Sequence, residues 1–303
     1  MEVAVLGADA AGRGIVQVCA AAGHAVALHD TEANAVMDGI DAVEAGLDDA
    51  VSAGELSAEA RDSAVDRLEG TTGLEAAVGG AEVVIDATAG DREQRRTLWA
   101  DVEDVVDEET LLATSATTVS VTAVATGLHV PERAVGLHFV DPPAVSLVEV
   151  VLAEQTGAEN RDRAVEFVQD FGESVVVRDT PGFASSRLTL ALSVEAMTMV
   201  DERVASVAAI DRALEAGHDH PQGPLVAADE AGLDARLTEL EYLADALGER
   251  FAPPPVLRRK VERGDLGRKT GEGFYVWEGG EPVEPGEPDP CADSPVGSDR
   301  DGL

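Results

Sequence analysis

Short apolar runs alternate with helical segments through the first third of this chain, and that alternation constrains the fold more than any single motif. Residues 3–6 form a strand-like run, a helix spans 12–22, and a second strand at 25–28 closes on Asp30. Two helices fill 32–67 and break at Gly54. Strands at 83–87 and 111–113 flank a helix at 92–102. Alternating β and α units predict a parallel sheet with helices on both faces. Apolar runs around His138 and Glu149 extend that sheet, and a helix at 159–171 and a strand at 174–177 close it. After Asp179-Thr180-Pro181-Gly182 the apolar spacing becomes helical, over 183–204, 207–216, 227–247 and 255–263, with no strand pattern. From Gly279 the chain turns to Pro, Gly, Asp and Glu. The expected organisation is an α/β parallel-sheet domain over 1–178, an all-helical domain over 179–278, and an acidic, disordered tail over 279–303.

The formal net charge is −37, from 59 acidic and 22 basic residues, and Lys260 and Lys269 are the only lysines. A surface this acidic argues against nucleic acid and against anionic membranes as partners. With few aromatics, the composition is similar to that of proteins from salt-loving archaea, where molar salt cuts the Debye length to about 3 Å. No apolar run reaches bilayer length. The chain begins on a strand-like run without a signal-type segment, and Cys19 and Cys291 lack metal-like spacing, so a reducing, cytoplasmic setting is expected.

Gly7-Ala8-Asp9-Ala10-Ala11-Gly12 follows the first strand and opens the first helix. This is the place of the dinucleotide fingerprint Gly-x-Gly-x-x-Gly. Gly7 supplies the tight turn and Gly12 close helix–strand packing. Asp30 can accept hydrogen bonds from ribose hydroxyls and would repel a 2′-phosphate, which favours NAD over NADP. Asp9 replaces the middle glycine and sets a carboxylate where pyrophosphate approaches the helix N-terminus. Arg13, one turn on, could pair with Asp9 or reach the phosphate, or Asp9 could face solvent. Without a cofactor, the same turn reads as a structural βαβ unit.

His138 lies near the end of one apolar run, and Glu149 sits inside the next. A buried charge needs a partner, and a His–Glu pair satisfies both groups. The pair reads either as a core histidine with an edge carboxylate or as a general base with its orienting carboxylate. His218 and His220 lie in a Gly/Pro-rich turn with no carboxylate or cysteine pattern beside them, so no metal site is expected.

Five further motifs stand in a fixed order: Gly136-Leu137-His138-Phe139, Leu147-Val148-Glu149-Val150, Asp179-Thr180-Pro181-Gly182-Phe183, a Gly-His-Asp-His-Pro-Gln-Gly-Pro run from Gly217, and a Gly-Arg-Lys-Thr-Gly-Glu-Gly-Phe-Tyr run from Gly267. With the N-terminal fingerprint they make the chain resemble the 3-hydroxyacyl-CoA dehydrogenase family over nearly all of residues 1–278. The resemblance implies a Rossmann domain that binds NAD and a helical domain that dimerises. It also implies reversible oxidation of (S)-3-hydroxyacyl-CoA to 3-ketoacyl-CoA. On it, His138 takes the hydroxyl proton, Glu149 orients the imidazole, Thr117 matches a serine that bonds the substrate oxygen, and Ser186 stands at a nicotinamide-side Asn. Asp9, Asp141, Ser186, the Ser115-Ala116 pair and Glu55 depart from the family pattern. They keep two alternatives open: a dehydrogenase of a non-CoA 3-hydroxy acid, similar to gulonate dehydrogenase, and a divergent NAD- or acyl-CoA-binding homologue with little catalysis.

Overall fold

The computed structural model describes residues 1–285. The chain divides into two compact units, the first spanning Met1–Ser185 and the second beginning at Ser186.

In the first unit β1 (Glu2–Leu6), α1 (Ala10–Ala21), β2 (Ala25–His29), α2 (Ala33–Ala53) and α3 (Ala58–Val65) follow the expected order. Gly54 ends α2 in the left-handed conformation, and the Ser57 side chain caps α3. Then come β3 (Leu68–Thr71), α4 (Leu74–Val78), β4 (Val83–Asp86), α5 (Arg92–Glu103), β5 (Leu111–Thr114) and α6 (Val121–Ala125). The unit ends with β6 (Ala134–Asp141), β7 (Val145–Leu152), α7 (Ala158–Gln169) and β8 (Glu173–Arg178). β3 has a single large apolar residue, Leu68, so its sequence carries no strand pattern; pairing along β2 makes it a strand.

The eight strands form one sheet in the order β3-β2-β1-β4-β5-β6-β7-β8. β1 pairs with β2 on one side and β4 on the other, all parallel, so the strand order reverses at β1. Ligands of open α/β sheets bind at such a point, beyond the carboxyl ends of the strands. The sheet is not parallel throughout, because β6 and β7 form an antiparallel pair and β8 runs parallel to β7. Both faces of β1 are covered. Val3 and Val5 pack with Ile15 and Val16 of α1, while Ala4 and Leu6 pack with Trp99 and Val102 of α5. Burial on both faces explains why the strand reads as a continuous apolar run rather than an alternating one.

The second unit is helical: α8 (Ser185–Asp201, whose first residue belongs to the first unit), α9 (Val207–His218), α10 (Pro224–Ala231), α11 (Leu233–Leu247) and α12 (Pro255–Arg263). Gly232 at φ 91 splits the expected 227–247 segment into α10 and α11. A strand pair was missed in the sequence. β9 (Tyr275–Glu278) and β10 (Glu281–Pro285) form an antiparallel hairpin across Gly279 and Gly280, both at positive φ. Two-residue hairpin turns demand that conformation, so the Gly-Gly pair that looked like the start of a disordered tail is the turn. The rest of that expected tail, 286–303, lies outside the described residues.

Candidate active site

The antiparallel register of β6 and β7 sets His138 directly opposite Glu149. Facing residues of such a pair project to the same side of the sheet, and the His138 Nδ1 lies 2.7 Å from Glu149 Oε2. His138 is 8% exposed and Glu149 1%. The Ser185 hydroxyl donates to Glu149 Oε2 at 2.6 Å, and the N–H groups of Ala184 and Ser185 donate to Oε1, both at 2.9 Å. Burial alone would raise the pKa of Glu149. The hydrogen bonds from His138, Ser185 and Ala184 outweigh it and hold the carboxyl down at about 2. Glu149 is therefore ionised near neutrality and accepts from Nδ1–H, which leaves the lone pair of the neutral imidazole on Nε2. The Phe183 ring lies 5.6 Å from the imidazole, centroid to centroid, and walls that side. Asp179 fixes the start of α6 by accepting from the Ser120 hydroxyl and the Thr122 N–H, each at 2.7 Å.

Parallel pairing of β5 with β6 brings the loop that holds Thr117 toward the same edge. Thr114 of β5 is in register with Gly136 of β6, so the loop holding Thr117 leaves β5 at the level of His138. The Thr117 hydroxyl has no partner among the described residues. Ser186 is the second residue of α8 and opens the second unit. Its neighbour Ser185, not Ser186, bonds Glu149.

Gly7 stands at φ 108 after β1, and a Cβ there would lie 2.9 Å from the Ala87 carbonyl group. A Cβ on Gly12 would meet the Gly7 oxygen at 1.9 Å, so both ends of the turn require glycine. Ala8 is buried, and its N–H donates to Asp30 Oδ2 at 3.1 Å, while the Glu32 N–H donates to Oδ1. Asp9 folds back as the N-cap of α1, with Oδ1 accepting from the Gly12 N–H at 3.0 Å. Arg13 does not pair with it; Nε donates to the Ala8 carbonyl at 2.7 Å. Ala10 and Ala11 make the first turn of α1. Helix α1 and the β6–β7 turn lie close together, since a Cβ on Gly14 would lie 2.4 Å from the Pro142 oxygen. Three strand spacings of about 4.8 Å set β6 roughly 14 Å from β1 along this edge. An elongated ligand laid across the switch point would reach from Asp30 to His138.

Two family models cover nearly all of the described chain. The NAD-binding domain of 3-hydroxyacyl-CoA dehydrogenase matches residues 2–180, and the C-terminal domain of the same enzymes matches 182–277. The chain belongs to the 3-hydroxyacyl-CoA dehydrogenase family. It is 34% identical to a probable 3-hydroxybutyryl-CoA dehydrogenase of Deinococcus radiodurans, over 91% of this chain and all of that one. It is also 34% identical to a 3-hydroxybutyryl-CoA dehydrogenase of Bradyrhizobium diazoefficiens, covering 93% and 97% of the two. Among solved structures, an (S)-3-hydroxybutyryl-CoA dehydrogenase from Ralstonia eutropha superposes with a TM-score of 0.85 at 30% identity, over 91% of this chain and 99% of that one. Family membership makes the chain an NAD-dependent oxidoreductase. The residues of the fingerprint turn fit that cofactor: α1 presents its N-terminus, Gly7 and Gly12 leave no room for side chains, and Asp30 retains acceptor capacity toward a ribose. Among the described residues no group of three or more His, Cys, Asp or Glu is placed to hold a metal ion.

Ser185, Ala184 and Asp179 were not legible as site residues. Asp179 belongs to a motif, but its partners Ser120 and Thr122 are some 60 positions away. Ser185 differs from Ser186 only by which way the backbone turns after Phe183, a residue at φ 47.

Proposed function

We propose that this chain oxidises short-chain (S)-3-hydroxyacyl-CoA to the 3-ketoacyl-CoA, reversibly, with His138 as the proton acceptor. The observation that carries this reading is the His138–Glu149 pair, sealed by Ser185 and Phe183, at the carboxyl edge of a sheet whose switch point bears a dinucleotide turn. Gly7 to Gly12 and Asp30 would hold the cofactor. Bound there, NAD supplies the hydride acceptor. His138 Nε2 accepts the proton of the substrate 3-hydroxyl and returns it in the reverse direction. Glu149 stays ionised, fixes the Nδ1–H tautomer and stabilises the imidazolium that forms. Thr117 donates its hydroxyl to the substrate oxygen, and Ser186 keeps only the role that the resemblance gives it, a hydroxyl in place of the family's nicotinamide-side Asn.

Turnover of NADH with acetoacetyl-CoA in molar KCl tests the reading. Oxidation with the thioester is expected; oxidation only with a free 3-keto acid would transfer the assignment to the non-CoA alternative. The dyad's completeness also favours catalysis over a binding-only homologue.

The oligomeric state and setting belong to the same proposal. Leu188 is 69% and Leu192 41% exposed on α8, which supports a homodimer through the helical unit. Leu188→Glu is expected to give a monomer in light scattering coupled to gel filtration; an unchanged mass would remove α8 from the interface. No described helix is long and apolar enough to cross a membrane. The acidic composition supports a salt-rich cytoplasm, with activity rising toward molar KCl.

A further inference from the structure

Asp9 is the one residue of the fingerprint turn that opposes what the turn is built to hold. Its carboxylate accepts from the Gly12 N–H, so it occupies the N-terminal end of α1 rather than swinging away from it. The side chain best placed to neutralise it is Arg13, whose Nε is engaged by the Ala8 carbonyl. No ion pair to Asp9 occurs among the described residues. A second carboxylate lies on the other side of the same short turn, because Asp30 Oδ2 accepts from the Ala8 N–H. Two fixed negative charges thus bracket Ala8, on a chain whose formal net charge is −37.

We infer that Asp9 sets the cofactor affinity of this chain and couples it to salt: a dinucleotide binds with net uptake of cations, and binding strengthens as ionic strength rises. The inference rests on the NAD-binding reading above and deepens it. A pyrophosphate arriving at the end of α1 brings like charge toward Asp9, so an entering cation must compensate. Ordinary anion sites behave in the opposite way, because salt screens their attraction. Capping and charge separate cleanly at this position, since Asn caps a helix about as well as Asp. Asp9→Asn removes the charge and leaves the turn folded, and Asp9→Ser is a second neutral capping variant.

The test is a direct titration of NADH fluorescence against wild type, Asp9→Asn and Asp9→Ser at 0.2 M and 2 M KCl, with circular dichroism confirming the fold in each case. Glu108→Gln serves as the charge control. It removes the same charge from an exposed turn before β5, at the opposite edge of the parallel sheet. Both Asp9 variants are expected to bind NADH about tenfold more tightly than wild type in the dilute buffer. The advantage should shrink toward unity in 2 M KCl, while Glu108→Gln tracks wild type throughout. Equal affinities of wild type and the Asp9 variants at 0.2 M, or the same gain in Glu108→Gln, would overturn the role of Asp9 and leave the cofactor reading standing. Absence of NADH binding by every protein at both salts would overturn both.

Discussion

Glu149 of the first unit and Asp229 of the second are both carboxylates with almost no solvent exposure, at 1% and 0%, yet their acidities move in opposite directions. Glu149 is held down at about 2, by hydrogen bonds that win over burial. Asp229 is raised by burial, although the Phe274 and Tyr275 N–H groups and the Trp277 indole all donate to it and Lys260 favours its charge. Asp211, which accepts from Leu225, Val226 and the Tyr275 hydroxyl, is raised in the same way. The contrast separates two uses of a buried acid. At the sheet edge, a histidine, a hydroxyl and two backbone donors hold a charge beside the imidazole, where the proposed reaction needs it. In the helical unit, acids bind the Gly-x-Gly-Phe-Tyr segment and the hairpin to α9 and α10, and ionisation is incidental to that packing.

Substitutions sharpen the difference, beginning with the largest effect. Glu149→Gln offers one acceptor oxygen where four donors converge, and it removes the charge that the imidazolium needs. It is expected to lower kcat by about 10²–10⁴-fold, the range of general-base assistance, measured by NADH formation at saturating substrate. Asp229→Ala should act on stability instead. Loss of three hydrogen bonds and of the charge facing Lys260 is expected to destabilise the second unit by about 3–5 kcal/mol. Trp277 fluorescence reports it directly, because its indole is one of the three donors. Residual activity per folded molecule should stay within a few-fold of wild type; a 10²-fold loss would mean the two acids do not play separate roles.

The pH dependence of folding has opposite signs for the two groups. Glu149 lies below its ordinary value of 4.5, so its contribution is complete above pH 4.5 and lost as pH falls toward about 2. That loss is on the order of 3 kcal/mol, and Glu149→Gln should remove it from the acid limb of a denaturation series. Asp211 and Asp229 lie above their ordinary 3.8, so their protonated forms favour the folded unit and stability declines as pH rises through their raised values. Asp211→Asn is expected to flatten that decline. The smallest effect belongs to Ser185→Ala, which deletes one of the four bonds to Glu149. A cost of about 1 kcal/mol and a several-fold fall in kcat are expected; no change in either would make the hydroxyl a bystander.

Much of this was readable in the chain itself. Apolar runs located seven of the eight strands of the sheet, and the motif order led from His138 and Glu149 to the family. The sequence could not show that β6 and β7 run antiparallel in the register that makes those two residues face each other. Strand direction is a tertiary outcome, set by how the chain returns after Asp141. β3 stayed hidden for a related reason: its neighbour, not its own residues, imposes extended backbone. Asp9 was half legible. A carboxylate before a helix is a capping signal, but the fingerprint drew attention to the missing glycine and away from the cap. In the hairpin, the Gly279-Gly280 turn signal was outweighed by the acidic, Pro-rich composition around it.

In the proposed reaction the His138–Glu149 pair moves the substrate proton. Single-turnover formation of NADH by wild type and His138→Ala, with NADH affinity measured in parallel, tests it most directly. The rate is expected to be at least 10²-fold lower in the variant, with cofactor binding unchanged. A variant within a few-fold of the wild-type rate would contradict it.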